Sequence, residues 1–397
     1  MRVVAYAGSH HDVGRAHGEL LQSAVEANLA HFFTAMRGLG YHQEDLRQGA
    51  VHGEGLFSPH RLEEIEGLAR GAGRDFRDLL AYNIYSGWLS PEECTVMMAL
   101  GETSASGQTI FLKNSDKVGS TSLVGSNYHR FKEINVVLAM QPKDGNKFVG
   151  VAAAGSTGLK LGLNDKGVAT GSNIARTAEL AQRRVDITQL RALDRGQLMR
   201  DGLEKDTAME AGTLIAGKVL NNPMDTPGNV EFADAGEAVI IEGSYTRVAM
   251  EVVRNDIAHR ANAFVLLKEL NDPRDVSSVC RYVRCRQLLE ENRGKITPEK
   301  MIQFSMDHVN GPSLNSICRH GQDPAEEVSL ASGVMEIDSQ HPERSRISLA
   351  LGKPCHAWRE MDGHVSLDMT FDPRQIPEPF ATGEVWKKLY IEEPRYQ

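Results

Sequence analysis

The sequence predicts an α+β fold built in layers, on three observations. Residues 1–90 carry apolar side chains at helical spacing. From Cys94 onward, short apolar runs alternate with Gly, Ser, Asn and Asp turns, the pattern of short strands. Helical stretches then interrupt and follow those strands in blocks, without a strict strand–helix alternation. The 397 residues suit one large core with an appended segment, divided here into a helical segment 1–93 and a body 94–397.

The helical segment begins with GRAHGELLQSAVEANLAHFFTAM, where Leu20, Leu21, Val25, Leu29 and Phe32 recur at helical spacing. PHRLEEIEGLARGAG has Pro59 at its start and Gly71 and Gly73 at its end. DFRDLLAYNIYSGWL opens on Asp75 as an N-cap, with Phe76, Leu79, Leu80 and Ile84 on one side. A polar SPEE loop follows. CTVMMAL, TIFLKN, EINVVLAMQ and KFVGVAAAG then read as strands, and GSTGLKLGLNDKGVATGSNIA as a run of turns and short strands. DITQLRALDRGQLMRDGL and TAMEAGTLIAGKVL return to helix, and GNVEFADAGEAVIIEGSYTRVAMEVV reads as paired strands. DVSSVCRYVRCRQLLEENRG and TPEKMIQFSMDH are helical, the second with Thr297 as N-cap and Pro298 at the first helical position. SGVMEIDSQHPERSRISLALGKP is a final hairpin. The sequence shows neither an internal repeat nor a low-complexity linker.

Bulk properties exclude several function classes. The net charge is −9 with both signs mixed along the chain, so there is no basic stripe for nucleic acid and no polybasic membrane anchor. No run of 18 apolar residues predicts a membrane span, and the first residues lack the apolar core of a secretory signal, so a cytoplasmic protein is expected. Cys94, Cys280, Cys285, Cys318 and Cys355 are few, odd in number and widely spaced. They predict neither a disulfide framework nor a Cys-x-x-Cys metal pair, and most of them read as structural thiols.

The chemistry concentrates in PEECTVMMALGETSASGQTIFLKNSDK, residues 91–117. Cys94 heads a strand, and the Ser104–Gly107 turn would return TIFLKNSD beside it. Cleavage before Cys94 would give that residue a free α-amine, which titrates near ~8 and can act as general base for its own thiol. Asp116 could then orient the amine, and Lys113 could lower the thiol pKa. The alternative is a buried thiol beside an ordinary polar strand end.

Cys94-Thr95 followed by Asn-x-Asp resembles the start of the mature chain in cysteine N-terminal-nucleophile hydrolases. Further segments are similar to the penicillin acyltransferase family, whose type member is acyl-coenzyme A:6-aminopenicillanate acyltransferase. They are GRAHGELL, EIEGLARGAGRDFRDLLAYN, GLKLGLNDKGVATGSN, GNVEFADAGEAVIIEGS, HRANAFV, DHVNGPSLNSICRHG and LGKPC, so the resemblance spans nearly the whole chain.

The resemblance implies a four-layer αββα sandwich with a helical propeptide. It implies self-cleavage between Glu93 and Cys94, and an acyl-enzyme on Cys94. Asp116 would hold the amine, Asn229 would donate to the oxyanion, and Lys113 would stand where relatives carry arginine or glutamine. Asn114, His259 and Asn262 are the implied substrate-binding residues. Arg319, after an apolar pair in a Gly/Pro/Ser-rich loop, reads equally as a bidentate partner for a substrate carboxylate or as a surface or structural ion pair. The substrate would be a small N-acyl amide or acyl thioester, with no cofactor. The two fragments would stay associated, with or without further association into a homo-oligomer. Hydrolysis of a linear amide, acyl transfer to an amine, and an uncleaved relative with a binding role are the three functions that follow. Two positions depart from the family pattern: Glu93 replaces glycine before the nucleophile, and Ala263 replaces the second histidine of the HRANAFV element.

Other residues carry weaker signals. His10, His11, Asp12 and His17 invite a metal reading but lack a second cluster, so solvated or capping histidines are expected and no metal site is assigned. Cys280 and Cys285 read as structural. Asn164 reads as a turn residue. Asp307–His308 could pair for acid–base work, which the α-amine of Cys94 would make unnecessary.

Overall fold

The protein is described by a computed structural model that covers residues 3–89, 93–118, 133–182, 191–321, 326–361 and 363–375. The chain opens with strand β1 (Val3–Gly8) and helices α1 (His10–Leu20), α2 (Gln22–Gly38), α3 (Gln43–Gly53), α4 (Pro59–Ala72) and α5 (Phe76–Leu89). Strands β2 (Glu93–Ala99), β3 (Thr109–Val118), β4 (Asn135–Pro142), β5 (Phe148–Ala153), β6 (Leu161–Asn164) and β7 (Ala169–Ile174) follow. Helices α6 (Ala178–Gln182), α7 (Arg195–Gly202) and α8 (Ala208–Asn221) precede β8 (Gly228–Ala233), β9 (Ala238–Gly243), β10 (Val248–Val253) and β11 (Ile257–Arg260). The chain continues through α9 (Val276–Glu291), α10 (Pro298–Ser305), β12 (Glu327–Ile337), β13 (Arg346–Leu351), α11 (Pro354–Ala357) and β14 (His364–Asp368). Of the helix predicted over 186–203, residues 186–190 lie outside the described residues, 191–194 are not helical, and the helix begins at Arg195 behind the Asp194 N-cap; loop residues 90–92 also lie outside.

These elements form the predicted four-layer αββα sandwich. One sheet has eight strands in the order β1-β4-β5-β6-β7-β8-β9-β10; the other has six, β11-β2-β3-β12-β13-β14. Between the sheets lie Val96, Met98, Phe111, Val151, Leu161, Ile240, Met335 and Leu349. The outer face of the larger sheet packs Phe148, Val230 and Phe232 against Phe32, Leu68, Leu79 and Ile215 of the helices. The outer face of the smaller sheet packs Met97, Ala99 and Leu112 against Cys285, Leu289 and Phe304 of α9 and α10. Successive residues of β2 therefore alternate between two buried faces, which is why CTVMMAL is continuously apolar rather than alternating. Among the described residues no helix is long and apolar enough to cross a membrane.

The predicted caps Asp75 and Thr297 form: Asp75 accepts from Arg77 N–H (2.8 Å) ahead of α5, and Thr297 accepts from Lys300 N–H (3.2 Å) ahead of Pro298. Gly73 ends α4 with φ of 63°, and Ser58, not among the predicted caps, accepts from Arg61 N–H before Pro59. Three features of residues 1–90 differ from the helical reading. VVAYAG is β1, a six-residue strand paired parallel to β4 with Val3 opposite Val137, too short a run to stand out from its helical surroundings. The helix predicted from Gly14 onward is two helices, broken at Leu21 (φ −118°, ψ 19°), whose side chain is fully buried. Residues 43–53 add α3.

Helices α1 and α4 meet backbone to backbone. A Cβ at Gly67 would stand 1.9 Å from the His11 carbonyl oxygen, and one at Gly14 1.9 Å from that of Glu64. Overpacking of a closed contact costs about 1–3 kcal/mol and at times more. Gly67→Val is therefore expected to lower stability by about 3 kcal/mol, read as a lower urea midpoint at unchanged slope.

Candidate active site

The β2–β3 ladder sets the site. Glu93 is paired with Asp116, Cys94 with Ser115, Thr95 with Asn114 and Val96 with Lys113. The Ser104–Gly107 turn makes this register: the Ser104 hydroxyl donates to the Gln108 carbonyl (2.6 Å), and Gly107 adopts φ of 73°. Directly paired residues share a face, so Cys94 and Lys113 point between the sheets, while Glu93 and Asp116 point toward α9 and α10.

On the inter-sheet side, the Lys113 ammonium hydrogen-bonds the fully buried Cys94 thiol. Burial pushes the thiol pKa up, and Lys113 is the largest influence pulling it back down. Lys113 also donates to the Lys160 carbonyl and lies near Glu231 of β8. Burial raises the Glu231 carboxyl to about 7, with Lys113 opposing, and neither carboxylate oxygen has a hydrogen-bond partner among the described residues. Asn173 of β7 donates to the Cys94 carbonyl (3.0 Å) and is paired in register with Asn229 of β8. Asn229 donates to the Ala263 carbonyl (3.3 Å), and its own Oδ1 has no partner among the described residues. It therefore stands next to the residue that touches Cys94.

The other face holds the charges. Asp116 accepts from the Ser329 hydroxyl (2.6 Å) through Oδ1, lies 4.0 Å from Arg319, and leaves its buried Oδ2 without a hydrogen-bond partner among the described residues. Burial raises its pKa, against Arg319 and Arg281. Glu93 is buried in an arginine cluster: it pairs with Arg176 and Arg319, and Arg281 lies 3.9 Å away. Arg281 in turn donates to the Cys94 carbonyl (2.9 Å), the Thr95 hydroxyl (3.1 Å) and Asn262 Oδ1 (2.6 Å). Glu93 lies in strand conformation; Asn255 is the positive-φ non-glycine among the described residues. The position before Cys94 thus makes no use of glycine's conformational freedom in this state. A cleft of about 600 Å³ opens onto Glu93, lined also by Arg176, Ser277, Leu314, Arg319 and Glu327.

The structure brings Cys94, Lys113, Asp116, Glu93, Arg319 and Asn262 together around one peptide bond. Two predicted substrate contacts sit differently. Asn114 donates to the Ser305 and Ile317 carbonyls (2.9 and 3.1 Å), fastening β3 to the helix side. His259 stacks on Tyr282 with ring centroids 4.2 Å apart, and burial lowers its pKa to about 4. Asn173, Glu231 and Arg281 were not singled out from sequence. Nothing local marks them: Arg281 is one of several arginines on α9, and the other two lie in short strands. Arg195 is a further cation acting on the Cys94 thiol.

Other sequence readings resolve as follows. Asn164 is a turn residue, accepting from Val168 N–H (2.8 Å). His10 stacks on His60, and His17 accepts from Gly155 N–H (3.1 Å), so neither is solvated. Asp307 pairs with Arg284 (2.8 Å) rather than with His308. Cys285 is buried and Cys280 partly exposed. The reading of isolated cysteines without a metal-type cluster needs correction for two of the five. Cys318 and Cys355 meet His308 and His320, with the four ligand atoms within 4.8 Å of one another. Three of the four lie within one loop, residues 308–320, and only Cys355 comes from a distant segment, so the sequence signal is there but incomplete.

No protein-family model matches the sequence, and no curated protein sequence matches it. Solved structures do resemble it in part. An ortholog of N-acylethanolamine-hydrolyzing acid amidase from Caenorhabditis elegans has a TM-score of 0.39 at 14% identity, over 61% of this chain and 92% of that one. Penicillin V acylase from Agrobacterium tumefaciens has a TM-score of 0.42 at 13% identity, over 73% and 89%. A mutant conjugated bile acid hydrolase from Clostridium perfringens has a TM-score of 0.42 at 11% identity, over 72% and 95%.

Proposed function

We propose that the protein is a self-cleaving cysteine amidohydrolase whose nucleophile is Cys94, freed at the amine by cleavage after Glu93. The observation that carries this reading is the pairing of a thiol held by a buried ammonium with a carboxylate whose second oxygen is unsatisfied, on either side of the Glu93–Cys94 bond. Cleavage supplies an α-amine beside Asp116, giving Oδ2 the donor it lacks. That amine takes the thiol proton while the thiol attacks an amide carbonyl. Thiol and base then belong to one residue, and water releases the acyl group. Asn173 and Asn229 supply amide N–H groups near the reacting carbon for a developing oxyanion.

Glu93 also suggests the substrate. In self-cleavage Glu93 is the acyl side of the bond, and its carboxylate lies among Arg176, Arg319 and Arg281. Once the cleaved end withdraws, those cations suit an acyl group that bears a carboxylate. Release of free acid from N-acyl amides with and without a second carboxylate, by the cleaved protein, tests both parts. Arg176→Leu is expected to raise KM about tenfold for the anionic amides and to leave the neutral ones unchanged. Equal KM for both classes in the wild type would sink the anionic assignment. Product that forms only with an added amine acceptor would replace hydrolysis by acyl transfer.

A further inference from the structure

We propose that His308, Cys318, His320 and Cys355 form a zinc site that fixes the loop carrying Arg319. It lies on the α10 side of the smaller sheet and takes no part in the proposed reaction. His308 and the Cys318–His320 pair belong to the loop between α10 and β12, and Cys355 lies on α11.

The geometry is that of a tetrahedral cage. His308 Nε2 and His320 Nε2 are 3.1 Å apart, Cys318 Sγ and His320 Nε2 3.6 Å, and Cys355 Sγ and His320 Nε2 3.4 Å. Zinc bonds of about 2.0–2.1 Å to nitrogen and about 2.3 Å to sulfur set ligand–ligand separations of about 3.3–3.8 Å in a tetrahedron. All four donor atoms lie within 4.8 Å of one another, so small side-chain adjustments close the shell. Two thiolates and two imidazoles are a soft, borderline donor set that selects zinc over calcium or magnesium. Four protein ligands leave no open position, which makes the site structural rather than catalytic. The two thiolates also balance the dication, and binding releases the two thiol protons to solvent.

The loop gives such a brace something to hold. The stretch from Met306 to Gly321 contains no helix or strand of its own, yet it is pinned at the cluster. Cys318 N–H donates to the Asp307 carbonyl (3.1 Å), and the Ser316 hydroxyl to the Cys318 carbonyl (2.8 Å). Arg319, between two of the ligands, points the other way. Its backbone N–H donates to Ser329 Oγ (2.9 Å), the hydroxyl that donates to Asp116, and its guanidinium pairs with Glu93. The metal would therefore set the position of the residue that bridges Glu93 and Asp116.

Elemental analysis of the full chain, purified with reductant and dialysed against zinc, is expected to show about one zinc per chain. Cobalt added to zinc-free protein is expected to give the intense visible bands of a tetrahedral thiolate site. Cys318→Ser and Cys355→Ser are each expected to weaken cobalt binding at least ~10-fold, while Cys280→Ser leaves it unchanged. If a cysteine variant fails to fold, alkylation of the wild type decides instead. Zinc is expected to shield Cys318 and Cys355 and to leave Cys280 reactive, and chelation is expected to expose the pair. The proposal is overturned by a folded, reduced chain that takes up neither metal, by undiminished uptake in the two variants, or by alkylation of Cys318 and Cys355 that zinc does not slow.

Discussion

Cys94→Ala is expected to remain a single uncut chain and to lose amide hydrolysis down to the uncatalysed background, a fall of about 10⁶-fold or more. The wild type is expected to give two pieces under denaturing conditions, separating between Glu93 and Cys94. In that reaction the thiol adds to the Glu93 carbonyl and the Cys94 nitrogen leaves as an amine, taking the thiol proton. Water then splits the resulting thioester and frees a carboxyl group on Glu93. Alanine has no atom for the first step. Intact mass measurement reads the outcome directly. A cut Cys94→Ala chain, or a wild type that hydrolyses amides while uncut, would overturn the mechanism.

The second large effect is expected at Lys113. Lys113→Met removes the cation on the Cys94 thiol, so the acid limb of the pH–rate profile moves to higher pH and kcat/KM falls about 10²-fold near neutrality. It also strips Glu231 of its largest opposing charge. Glu231 is raised from 4.5 to about 7, so the stability it contributes is complete below 4.5 and is lost as pH rises through about 7. With Lys113 gone the carboxyl rises further, and the variant is expected to be much less stable than wild type at pH ~8 and close to it at pH ~5. Adding Glu231→Gln is expected to restore stability at the higher pH without restoring activity. Urea denaturation at both pH values, with a rate assay on the double variant, separates the two roles. Recovery of activity in the double variant would show that Lys113 acts only as a structural counter-ion.

Local signals in the sequence led to the right ladder. The Ser104–Gly107 turn places TIFLKNSD beside Cys94, so Lys113 and Asp116 are legible from the sequence. What those signals do not convey is which face each side chain takes. One-residue register decides that Lys113 joins the thiol while Asp116 joins Glu93, and register follows from the whole two-sheet core. The arginine cluster was legible only at Arg319. Arg281 comes from a helix 187 positions further along the chain, and its role appears only when α9 packs on β2. The His/Cys cluster is legible only in part for the same reason: His308, Cys318 and His320 share one loop, but Cys355 joins them from the far side of a β-hairpin. Glu93, which departs from the glycine of the pattern the sequence resembles, becomes intelligible only with its three arginines in place.

Under the proposed cleavage, strand β1 would give maturation a direction in time. It is hydrogen-bonded along β4, yet it belongs to the piece that a cut before Cys94 would detach. An uncut chain would fold as one molecule, with β1 always at hand. After the cut, unfolding would release two molecules that must find each other again, so recovery becomes concentration-dependent and the mature state persists through slow unfolding. The chain would carry its own assembly instructions once, and spend them.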